Sequence, residues 1–126
     1  MGLAQVYLYG NSALYALLAV WSTTVSRSAA TRLGYVELSD RGRAEFLVVY
    51  GGLQIGLAVL FFLLARNTSD LALGLRISLG LYAPIVLYRT VTGWMNRPLS
   101  GSALGTIGLE ALLLAAAAWL LHARAA

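Results

Sequence analysis

Along this chain, uncharged apolar runs long enough to cross a bilayer alternate with short polar segments. Crossing about 30 Å of hydrocarbon takes roughly 20 helical residues at about 1.5 Å each. The first 26 residues carry no charged side chain, and residues 5–25 form the first predicted span. No basic segment precedes it, which argues against a cleavable signal peptide. A polar segment follows from Ser26 to Arg43, holding Arg27, Arg32, Glu37, Asp40, Arg41 and Arg43, with Ser39 and Asp40 as candidate N-caps of the next helix. The second span, residues 45–65, includes twenty consecutive uncharged residues from Phe46 to Ala65 and is the clearest of the set. Arg66-Asn67-Thr68-Ser69-Asp70 is a polar turn rich in capping residues, so spans two and three must form an antiparallel hairpin. Span three covers residues 71–94 and contains Arg76, Pro84 and Arg89. Pro84 lacks an N–H and is expected to kink this helix. After Asn96-Arg97-Pro98 and Leu99-Ser100-Gly101-Ser102, the fourth span covers residues 103–122, with Glu110 as its only internal charge. The predicted fold class is all-α: one polytopic membrane domain, an antiparallel bundle of four transmembrane helices.

Composition supports this pattern. Only 11% of the 126 residues are charged and 60% are apolar, against roughly 25% charged in an average soluble domain. A water-facing fold of this size could not cover its surface. All nine basic residues are arginine, which excludes lysine chemistry and a P-loop. The absence of cysteine excludes disulfides, thiol catalysis and iron–sulfur ligation, and a single histidine, His122, leaves no histidine metal cluster. No metal or other cofactor is expected. The net charge of +4 is a topology signal rather than a sign of nucleic-acid binding, because the arginines flank apolar spans. Arg27, Arg32, Arg41, Arg43 and Arg97 fall on one side, and Arg66 and Arg124 on the side of the termini. This bias predicts loops 26–44 and 95–102 in the cytoplasm and both termini outside. Tyr7, Tyr9 and Trp119 would mark the outer interface, with Trp21 and Trp94 at the inner one.

Polar groups within the spans are the candidates for function. Arg76 lies near enough to its helix end to snorkel, or to be satisfied by Asn11 and Ser12 of span one as a secondary polar cluster. Arg89 shares a helix face with Tyr82 and Ser78. Glu110 has no long stem with which to reach water, so it must be protonated or paired inside the bundle. Arg89 is its best partner by depth, and Glu45, at the start of span two, is a second acid within reach of Arg89. Tyr50 and Gln54, four residues apart, offer hydrogen bonds near mid-membrane. Gly52 and Gly56 form a G-x-x-x-G face suited to close helix packing. A structural reading stands beside the functional one, in which the Glu45, Arg89 and Glu110 charges lock three helices in register. Gly52-Leu53-Gln54 and Gly108-Leu109-Glu110 echo one another, through a two-helix repeat or by chance in Leu/Ala/Gly-rich spans.

Glu45 with Tyr50-Gly51-Gly52, Arg89 followed by Gly93 and Asn96-Arg97-Pro98, and Leu109-Glu110 together resemble a bacterial family of small four-helix integral membrane proteins of unknown function, loosely similar to the DoxX-like proteins. The resemblance covers about Glu45 to Ala118. It implies the fold, a bacterial inner (cytoplasmic) membrane location and a polar site, but no reaction. Asn96-Arg97-Pro98 departs from the more acidic Asp-Gly-x-Pro turn expected there, which weakens an ion or ligand role for that loop.

Three functional classes follow. In the first, the chain binds an amphipathic ligand, or serves as an accessory or scaffold to a larger membrane enzyme. Glu45, Tyr50, Gln54, Tyr82, Arg89 and Glu110 would then orient a polar head while leucine-rich walls hold its tail. The second is an oligomeric proton-coupled transporter or channel using Glu110. The third is a small intramembrane enzyme with Glu110 as acid or base and Arg89 as electrostatic clamp. The expected partners are membrane lipid, an amphipathic small molecule, and a second copy or a membrane enzyme, with no nucleic acid.

Overall fold

Small and polar residues recur every three or four positions along the first helix. Ala4, Leu8, Asn11, Tyr15, Ala19 and Ser22 are its buried residues, a single stripe at the helical period. The computed structural model describes residues 1–95 and 101–125, with side chains for 1–95 and 104–124. Among the described residues, four helices are long and apolar enough to span a bilayer: Leu3–Thr24, Asp40–Arg66, Thr68–Met95 and Leu104–Arg124. The chain is thus an all-helical, multi-pass membrane bundle with both termini at one end.

Helix α1 (Leu3–Thr24) is followed after Val25 by a short helix, α2 (Ser26–Arg32), inside the segment expected to be a polar loop. Ser39 is the N-cap of the second span, as its sequence position suggests: its hydroxyl accepts from the Gly42 N–H at 3.1 Å, so the span starts at Asp40, ahead of the apolar run at 45–65. It is a composite of α3 (Asp40–Leu47), a π-helical turn (Val48–Gly52) and α4 (Leu53–Arg66). The turn into α5 (Leu71–Met95) is held by Asn67 Nδ2 donating to Asp70 Oδ2 at 3.0 Å and by the Asp70 N–H donating to the Asn67 carbonyl at 3.1 Å. Pro84 lies inside α5, where its missing N–H frees the Gly80 carbonyl. Helix α6 spans Gly101–Ala125. The expectations placed on residues 96–100 lie outside the described residues.

The helices pack as two pairs, α1 against α4 and α5 against α6. Although α4 and α5 are joined by a tight turn, they touch far less than either touches its partner. Their close approach lies near the turn, where a Cβ on Gly74 would meet Leu64 Cβ at 3.4 Å and Leu8 Cδ1 at 2.7 Å. The core fills the space between the pairs at that end, around Leu8, Phe61, Leu64, Leu71 and Leu75. Toward the opposite end, α3 and the π-turn pack on α2 and α1, with only marginal contact to α5 or α6. Among the described residues the two pairs therefore touch least toward the first-loop end. Exposed Leu17, Val20, Leu53, Val59, Leu63 and Leu112 give the outside the apolar surface that hydrocarbon requires.

The G-x-x-x-G expectation is overturned within the monomer. A Cβ at Gly52 or Gly56 would meet nothing within 4 Å, and both residues are exposed. The close approaches are at Gly74 and at Gly51, whose Cβ would meet Thr23 Oγ1 at 3.0 Å. Gly51 lies seven residues before Ala58, two α-helical turns along the same buried face, which leaves Gly52 and Gly56 outside. The π-turn acts on the positions before it and brings Phe46, five residues before Gly51, onto that face.

Candidate functional site

Three helices meet through side-chain hydrogen bonds at the point where the pairs begin to separate. Tyr82 Oη on α5 donates to Asn11 Oδ1 on α1, and Tyr15 Oη donates to Tyr82 Oη at 3.0 Å. Asn11 Nδ2 in turn donates to the Tyr7 carbonyl at 2.8 Å, and Tyr7 Oη reaches α6 by donating to the Leu113 carbonyl at 3.0 Å. Asn11, Tyr15 and Tyr82 are all buried. In hydrocarbon such groups find no water; the Asn11 amide satisfies itself within α1, and the other three bonds tie α1 to α5 and α6. Ser12 Oγ and Gln5 Nε2 add donations to the Ala58 and Ala65 carbonyls, at 2.8 and 3.2 Å, holding α1 to α4. The sequence carried a signal for this network that charge-based reading passed over: Tyr7, Asn11 and Tyr15 recur at intervals of four on one face of an apolar helix.

Beyond this bridge, toward the first-loop end, lies the ion pair. Arg89 Nε on α5 donates to Glu110 Oε2 on α6, the one salt bridge among the described residues. Glu110 stands nine residues into α6 and Arg89 six residues before the end of α5. These positions are roughly 14 and 9 Å along the helix axes at about 1.5 Å per residue, a gap that an arginine side chain can bridge. An unpaired charge at such depth costs about 2.5–3.5 kcal/mol on insertion scales, which the pairing offsets. The pair is not enclosed: the Arg89 side chain is 43% exposed and that of Glu110 13%. Among the described residues only Nε of the guanidinium is engaged, so its two terminal nitrogens remain for a further acceptor.

Arg89 lies near enough to Tyr50 for the two to interact electrostatically. Tyr50 belongs to the π-turn and stacks on Phe46, with ring centroids 4.6 Å apart. Tyr35 meets Phe46 edge-on at 5.8 Å. Gln54, one turn further along α4, is half-buried. Its Nε2 makes a long donation of 3.4 Å to the Val49 carbonyl, while Oε1 is buried without a hydrogen-bond partner.

Several expected groupings do not form. Glu45 is exposed on α3 and makes no ion pair among the described residues, because α3 packs on α2 rather than on α5. The Tyr82 hydroxyl bonds to Asn11 and Tyr15 rather than to Arg89. The Asn11 and Arg76 cluster is absent as well: Asn11 is occupied by Tyr82 and Tyr7, and Arg76 is exposed, where its long stem lets it snorkel. Arg89 and Glu110 are in contact, and Tyr50 is close enough to Arg89 to feel its charge.

Comparison with protein-family models, curated proteins and solved structures returns no match for this chain, so the resemblance to small four-helix membrane proteins rests on the residues quoted for it.

Proposed function

We propose that this protein binds an amphipathic molecule in a bacterial inner membrane, as a binding or accessory protein rather than as an enzyme. The polar head sits at the free terminal nitrogens of Arg89, opposite Tyr50, and the tail runs in the apolar opening between span two and α5. The cytoplasm lies on the side of the first loop, in keeping with its arginines. The observation that carries this reading is the Arg89–Glu110 pair: held within the spans, half-open, and with most of its donors unused. A pair serving only to lock α5 to α6 has no need to face the gap between the helix pairs. Planar guanidinium recognition of an acceptor-rich head is the chemistry this geometry supports.

The test is native mass spectrometry of the full chain released from mild detergent. The wild type should retain a discrete small amphiphile, and Arg89→Ala should lower its occupancy about tenfold, as expected for loss of a charge-assisted hydrogen bond. Tyr50→Phe should lower it less, with helicity unchanged in both variants. Equal retention of bulk lipid by all three proteins would overturn the reading. Glu110-dependent proton flux in liposomes would point instead to a proton-coupled pathway.

A further inference from the structure

Residues 25–39 stand outside the four-helix bundle and form a small structure of their own. Helix α2 buries Ser26, Ala29 and Ala30, the alanines against Phe46. Arg43 Nε donates to Ser26 Oγ at 3.0 Å and ties α2 to α3. Gly34, at φ 94°, ends α2 in the left-handed conformation that glycine alone adopts without strain. There the Gly34 N–H donates to the Thr31 carbonyl and the Tyr35 N–H to the Ala30 carbonyl, each at 3.0 Å. This reversal folds the following residues back over α2 and forms an open cleft of about 290 Å³, lined by Arg27, Thr31, Tyr35, Glu37 and Leu38 over Ala30.

Two features of this cavity point to a ligand. The first is its charge arrangement. Arg27, on α2, and Glu37, on the segment folded back over it, line the same cleft with opposite charges, yet they form no salt bridge with each other among the described residues. A cation and an anion held apart on two walls match a guest that carries both signs a few bonds apart. The second is its position. Arg27 comes three residues after α1 ends at Thr24, so the cavity sits where a span leaves the hydrocarbon. Val36, on its rim, is 99% exposed and Leu33 45%, apolar side chains that a bilayer surface would cover. The volume is at the lower limit of small-molecule sites, roughly 300–1,000 Å³, and suits a headgroup rather than a whole lipid.

We propose that this cavity binds the headgroup of a zwitterionic aminophospholipid, with the phosphate at Arg27 and the primary ammonium at Glu37. Arginine matches phosphate oxygens through its planar fork. A primary ammonium offers three N–H donors to a carboxylate, whereas a choline offers none and is recognised by aromatic cages. Tyr35 supplies a single ring, so the site favours ethanolamine over choline. The acyl chains pass along Leu33 and Val36 into the bilayer. This site is separate from Arg89 and does not depend on the function proposed for it.

The experiment uses the full chain, delipidated in mild detergent and offered equal amounts of dioleoyl phosphatidylethanolamine, phosphatidylglycerol and phosphatidylcholine, with retention read by native mass spectrometry. The wild type should prefer the ethanolamine lipid. Glu37→Gln should lower its retention about fivefold, the scale of one partly solvated ion pair, and leave the glycerol lipid unchanged. Arg27→Gln should lower retention of both lipids. Arg41→Gln makes the same charge change outside the cavity and should behave as wild type. The pattern should persist in an Arg89→Ala background, and soluble glycerophosphoethanolamine should compete where inorganic phosphate does not. Equal retention by the wild type and by the Arg27 and Glu37 variants, loss of retention in Arg41→Gln, or equal competition by inorganic phosphate would overturn the proposal.

Discussion

Tyr82 Oη both donates to Asn11 and accepts from Tyr15, so removing one member strands a buried polar atom on another. Asn11→Leu leaves the Tyr82 hydroxyl with no acceptor and should destabilise the bundle by about 1–3 kcal/mol. Tyr82→Phe removes the hydroxyl itself and should cost less, about 0.6–1.7 kcal/mol, as for other interhelical hydrogen bonds in membranes. The double variant should cost less than the sum, because Asn11 and Tyr82 share one bond. Equilibrium unfolding in mixed micelles measures all three, and strict additivity would show that the two side chains act independently. Arg76 is the contrasting case. It is exposed and makes no hydrogen bond or ion pair among the described residues. Depth along the helix sets Arg76 level with Asn11, but rotation about the axis, which hydropathy does not reveal, turns it outward.

At the scale of elements, the face that each helix turns to its partner governs which glycines pack. Gly74→Ala would drive a Cβ to 2.7 Å from Leu8 Cδ1, and the resulting overpacking should cost about 1–3 kcal/mol. Gly52→Ala and Gly56→Ala meet open space and should stabilise by roughly 0.5–1 kcal/mol through backbone entropy. The same unfolding measurement decides the matter: a Gly56→Ala loss as large as that of Gly74→Ala would mean that another helix covers this face. The glycine pattern was legible in the sequence, but its register was not. A five-residue departure from α geometry leaves no mark on hydropathy, although it exchanges buried for outward-facing positions.

For the whole molecule, the hairpin turn does not dictate the closest neighbours. Sequence adjacency joins α4 to α5, yet α4 packs on α1 and α5 on α6. The share of buried residues falls from 22–28% in the first three spans to 11% in the last, so α6 is held chiefly by α5. The chain contains no cysteine, which makes engineered pairs unambiguous. Ser12→Cys with Ala58→Cys should crosslink readily with a short bifunctional reagent, since Ser12 Oγ lies 2.8 Å from the Ala58 carbonyl. Ile55→Cys with Leu109→Cys, joining α4 to α6, should not crosslink within one chain. Efficient crosslinking of that second pair would show a closed four-helix arrangement in which the opening beside Arg89 is lost.

The sequence by itself determined the class of this protein: four spans, their order and approximate limits, and the pairing of Glu110 with Arg89 by depth. These follow from hydropathy and from the cost of a carboxylate in hydrocarbon, both of which are carried by the residues one at a time. Only the tertiary structure decided that Glu45 stands apart, that Tyr82 belongs to the core with Asn11 and Tyr15, and that the helix pairs separate beside Arg89. Those outcomes depend on rotation about each helix axis and on which faces meet, and such properties belong to packed helices rather than to any single span. The folding of residues 25–39 into a cavity with Arg27 and Glu37 on its walls is of the same kind, set by the reversal at Gly34 and the docking of α2 on Phe46.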